Sequence, residues 1–102
     1  MAAKAEVLLR EKGTDEQGNL YELVVLRIPA TSRHPEGVRY RLAFILAGAD
    51  RPTVLYDNHH PKGHHRHIEG REEQYGFRDV DRLVQDFLKD IRNVVERSKR
   101  SK

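Results

Sequence analysis

Apolar residues along this chain follow two different periods, and the change from one to the other divides it into a sheet-forming part and a helix. From Arg39 to Leu46, Tyr40, Leu42, Phe44 and Leu46 alternate with the outward positions of Arg39 and Arg41. A period of two is that of a strand with one face turned inward. Toward the C-terminus, Val80, Leu83, Val84, Phe87, Leu88, Ile91, Val94 and Val95 recur at spacings of three and four. That spacing gathers them on one face of a helix, with Asp79 in the N-cap position.

The remaining segments read as strands and turns. Lys4 to Lys12 and Leu20 to Pro29 are two extended runs separated by a polar stretch with Gly13 and Gly18 at its ends, the pattern of an antiparallel hairpin. The second run is apolar on both parities, so it predicts a central strand. Residues 30–37 carry the Pro, Gly and Ser of a loop, and residues 47–52 make a turn. Thr53 to Asp57 forms a fourth strand and leads the chain into Asn58, His59, His60, Pro61, Lys62 and Gly63. Between His64 and Tyr75 a fifth strand would put His65 and His67 on one side and His64, Arg66 and Ile68 on the other.

The expected fold is therefore α+β: a four- to five-stranded antiparallel meander sheet packed by one C-terminal amphipathic helix. At 102 residues the chain has interior for one core, so residues 1–97 read as a single domain and 98–102 as a basic, solvated tail. Hydrophobic residues make up 37% and charged residues 34%. That is enough for a thin core with one sheet face left wet or held against a partner. A free sheet edge makes a homodimer one way to cover it.

Composition also narrows the chemistry. There is no cysteine, which removes disulfides and thiolate nucleophiles and fits a reducing, cytoplasmic setting. No run approaches the length of a membrane span, and the N-terminus lacks a secretory pattern, so no membrane association is expected. The net charge of +3 favours an anionic partner only slightly. The phosphate-binding glycine loop, the dinucleotide glycines, the nucleophile elbow and the zinc-protease helix motif are absent.

What stands out is HHPKGHHRH: five of the six histidines lie between His59 and His67. Three readings fit it. His65 and His67 on one strand face, with Asp57 or Glu72 as an oxygen donor, suit a metal ion, but no third ligand is fixed by spacing, and Lys62 and Arg66 put positive charge beside it. Alternatively the imidazoles act as acid and base on a phosphodiester, with Arg66 and Lys62 stabilising the phosphate. Gly63 would then let the backbone approach, and Tyr56 and Tyr75 would stack on unpaired bases. In the plainest reading the histidines are solvated surface, and Tyr56, Ile68 and Phe77 are core residues.

Tyr56-Asp57-Asn58, Lys62-Gly63, His65-Arg66-His67, Glu72-Glu73, Tyr75 and Phe77, followed by the helix, resemble the TumE family of small bacterial toxin–antitoxin proteins. The resemblance spans nearly the whole chain. His64 stands where that family commonly has an acidic residue and Gln74 where it commonly has proline. The resemblance implies a toxin whose partner is a helix-turn-helix antitoxin. Joined to the histidine chemistry, it leads to the expectation of an RNA-acting toxin, a metal-independent endoribonuclease without cofactor. Its catalytic set would be His65, His67, Arg66 and Asp57, with Lys62, Tyr56, Asn58, Gly63 and Tyr75 on the substrate. A non-catalytic module that grips nucleic acid or protein, and a metal-dependent nuclease, are the alternatives.

Overall fold

The computed structural model describes residues 5–100. Lys4, where the first strand was expected to begin, and residues 101 and 102 of the expected tail lie outside them. Six strands form one sheet: β1 (Glu6–Thr14), β2 (Leu20–Arg27), β3 (Val38–Ile45), β4 (Val54–Asp57), β5 (His65–Ile68) and β6 (Arg71–Gln74). They lie in sequence order, each antiparallel to the next. The helix α1 (Val80–Arg100) closes the chain.

The expected α+β meander is present, but with six strands instead of four or five. The difference arises at Glu69-Gly70, where φ reaches 51° and 85°. Two consecutive left-handed residues make the tight hairpin turn whose twist matches that of the flanking strands. This turn folds the expected fifth strand back on itself, giving β5 and β6. Glu69 takes a conformation that side chains other than Asn, Asp or His seldom adopt, which is why Glu-Gly gives little turn signal in a sequence.

Strand alternation assigns one sheet face to the core. Leu23, Val25, Tyr40, Leu42, Phe44, Val54 and Tyr56 are buried there, with Leu83, Phe87 and Val94 of α1 packed on them. Each buried Leu, Val and Phe among them contributes roughly 1.5–3 kcal/mol by leaving water. Leu88, predicted for the same stripe, is 44% exposed. The helix starts where expected: Asp79 Oδ1 accepts a hydrogen bond from the Arg82 backbone amide at 2.7 Å, satisfying one of the unpaired amides of the first turn. It continues through Arg100, so residues 98–100 are helical.

Polar clamps fix α1 to the sheet. Tyr56 donates its hydroxyl hydrogen to Asp90. Arg66 Nη1 donates to Tyr56 Oη and to Asp90 Oδ2, both at 3.0 Å, and its Nε donates to Glu73 at 2.7 Å. Tyr75 donates to Asp86 at 2.6 Å. Near the other end of the helix Arg97 pairs with Glu69 in the β5–β6 turn. Among the described residues no helix is long and apolar enough to cross a membrane.

Candidate functional site

The sheet face turned away from α1 carries the other parity of each strand. Across β3, β4, β5 and β6 the register sets Arg41 opposite Asp57, Asp57 opposite His65, and His65 opposite Gln74. One row over, Ala43, Leu55, His67 and Glu72 follow one another in the same way. Two imidazoles and two carboxylates thus converge from three strands.

His65 is the most constrained member. The residue is only 6% exposed. Nδ1 lies 2.8 Å from the Gly63 carbonyl oxygen and Nε2 lies 3.0 Å from Asp57 Oδ1. Both partners are acceptors, so both contacts are hydrogen bonds together only when the ring carries two protons. Gly63 has φ 74°, a left-handed conformation that glycine adopts without steric cost, and this turns its carbonyl toward the ring. Asp57 Oδ1 also accepts the His59 backbone amide at 3.1 Å.

His67 is half-buried and faces Glu72, with Nε2 and Oε1 3.2 Å apart. Lys62 Nζ donates to the same Glu72 oxygen at 2.8 Å. That hydrogen bond holds the Glu72 carboxyl below the usual range. The rings of His65 and His67 meet edge to face with centroids 5.3 Å apart. One ligand atom from each of His65, His67 and Glu72 falls within 4.8 Å of the others. Beside this cluster, on the same face, a cavity of about 540 Å³ is lined by Val24, Leu26, Arg39, Arg41, Asp57 and His59 among others.

A family model described as Toxin TumE matches residues 3–95. The chain belongs to the TumE toxin family. The match takes in all six strands and most of α1, and membership of a toxin family implies an antitoxin partner. Searches of curated proteins and of solved structures return no match.

For this TumE-family chain, the residues expected to form one site separate into three groups. Asp57, His65, His67 and Lys62 converge on the open face, with Gly63 placing His65. Arg66 lies on the opposite face, where α1 covers it. Burial opposes its charge, but hydrogen bonds to Tyr56 and Glu73 hold its pKa above the ordinary value. It is a strut between sheet and helix, out of reach of a phosphate beside His65. The third group is enclosed: Tyr56 is fully buried and Tyr75 nearly so, with rings edge to face at 4.9 Å and Tyr56 edge to face with Phe87. Burial pushes both phenols up. The structure therefore corrects their expected place as stacking platforms for bases. Asn58 is also interior. Its side chain accepts the Tyr40 backbone amide at 3.0 Å and donates to the Val38 carbonyl at 2.8 Å, so its hydrogen-bonding groups serve the end of β3.

His64, beside the triplet, belongs to the fold as well. It stacks on Phe77 at 4.8 Å, shares a 2.8 Å hydrogen bond with Tyr40 Oη and pairs with Glu36 at 3.0 Å. These contacts turn His64 away from His65. Sequence reasoning left out Arg41, which register sets directly opposite Asp57 and which pairs with Glu22 at 3.6 Å. Its outward place on β3 was legible, but the register that sets it against Asp57 of the next strand was not.

Proposed function

We propose that this chain is a toxin that cleaves RNA at the open sheet face, by acid–base chemistry of His65 and His67. The observation that carries the reading is the convergence of two imidazoles, each held by its own carboxylate, on one partly exposed surface. With Nε2–H donated to Glu72, His67 keeps a lone pair on Nδ1 and acts as the base. His65, a donor to both Gly63 and Asp57, acts as the acid.

In the reaction His67 takes the proton of a ribose 2′-hydroxyl as that oxygen attacks phosphorus. The bond from phosphorus to O2′ forms and the bond to O5′ breaks. His65 gives the departing O5′ its proton, exchanging its contact with Asp57 for one with the leaving oxygen. The products are a 2′,3′-cyclic phosphate and a 5′-hydroxyl. Lys62 and Arg41 supply the positive charge that stabilises the crowded phosphate, the part first expected of Arg66. On the family resemblance, a helix-turn-helix antitoxin is the partner that silences this surface.

Purified protein incubated with cellular RNA in excess chelator is the test. Cleavage leaving cyclic phosphate ends is expected, and His67→Ala should lower its rate about 10²–10⁴-fold with an unchanged circular dichroism spectrum. Undiminished cleavage by the His65→Ala, His67→Ala double variant would overturn the reading.

A further inference from the structure

We propose that the open face also holds a binding site for one divalent transition-metal ion of the zinc type, formed by His65, His67 and Glu72 with Asp57 completing it. In the sequence this possibility lacked a third ligand at any fixed spacing. The left-handed Glu69-Gly70 turn supplies it, because it sets the register that puts Glu72 opposite His67. Asp57 is brought to His65 in the same way by the β4–β5 pairing.

The donor set suits the ion. Neutral imidazole and carboxylate are zinc ligands, and two histidines with one carboxylate leave room for a fourth oxygen. Tetrahedral bonds to nitrogen near 2.0–2.1 Å put ligand atoms about 3.3 Å apart. His67 Nε2 and Glu72 Oε1 are already 3.2 Å apart, and Asp57 Oδ1 and His65 Nε2 are 3.0 Å apart. The full triad lies within 4.8 Å, a spread that side-chain rotation of the half-exposed His67 and Glu72 closes. His65 also has the support usual for a metal-binding histidine: its second nitrogen is held by a backbone carbonyl, which aims Nε2 at the ion.

Of the two positive charges that counted against a metal, one is removed by the fold. Arg66 is on the other face, neutralised by Asp90 and Glu73. Lys62 competes through its hydrogen bond to Glu72, but its side chain is more than half exposed and can swing into water, and Arg41, opposite Asp57, is paired with Glu22. The ion occupies the nitrogens that the proposed cleavage uses as acid and base. On that reading of the function, metal binding switches cleavage off.

Isothermal titration of the full metal-free chain with Zn²⁺ tests the site without reference to activity. One equivalent should bind. His67→Ala and Glu72→Gln should each weaken it at least about tenfold, since loss of even an outer supporting group costs that much. A His59→Ala, His60→Ala variant should bind as the natural chain does, and Lys62→Ala should bind about fivefold tighter because a competing cation is gone. Affinity unaffected by His67→Ala and Glu72→Gln, or lost in the His59, His60 variant, would overturn the site. Zinc binding with this pattern in a protein that cuts no RNA supports the site and counts only against the cleavage reading. Cleavage in chelator by a protein that binds no zinc does the reverse.

Discussion

The two faces of one short strand, His65 to Ile68, carry polar residues with opposite fates. On the covered face Arg66 makes hydrogen bonds or ion pairs with Tyr56, Glu73 and Asp90, and its charge holds the helix in place. On the open face His65 and His67 face carboxylates from neighbouring strands, next to a cavity and within reach of solvent. The lesson is that adjacent members of a polar triplet are separated by the whole thickness of a sheet. A motif such as His-Arg-His is two motifs on a strand, one for each side.

If the covered face holds the fold and the open face holds the chemistry, the two should respond differently to substitution. The largest loss of stability should come from the covered face: Phe87→Ala empties a fully buried site beneath Tyr56 and should cost about 3–5 kcal/mol by urea denaturation. Arg66→Ala should follow, at about 2–3 kcal/mol, a little below the range for breaking a buried pair because Arg66 is partly exposed. Asp90, 13% exposed in its side chain, is then left without its cation. A cost below about 0.5 kcal/mol would mean Arg66 is free for another role.

The smallest effect is one of pH on the open face. Folding holds the Glu72 carboxyl below its ordinary value through Lys62, so that contact favours the folded state above the ordinary glutamate range. It is lost as pH falls through the depressed value. The urea midpoints of the natural chain and Glu72→Gln should therefore differ near neutrality and converge in acid. A gap that widens toward low pH would show that Lys62 is not the cause.

Much of this contrast is legible in the sequence alone. The period of two already put His65 and His67 on one side and Arg66 on the other, and the spacing of Val80 to Val95 already predicted α1. The destinations of those faces were not legible. Nothing local tells that the side holding Arg66 is the one α1 covers, because Asp90 lies on a helix whose docking is a tertiary event. Tyr56 and Tyr75 suit a core or a base platform equally well from sequence, since an aromatic ring is apolar in either place. Glu72 could be named from sequence as an oxygen donor, but not the hairpin turn that divides it from Glu73, sending Glu72 to His67 and Glu73 to Arg66.

The central claim is that toxicity resides on the open face. It is tested most directly by inducing His67→Ala and the natural chain at matched soluble levels in cells without antitoxin, and counting colonies. The account predicts that the natural chain suppresses growth while His67→Ala, folded and as stable to within about 1 kcal/mol, permits it. Full growth inhibition by the folded His67→Ala protein would contradict it.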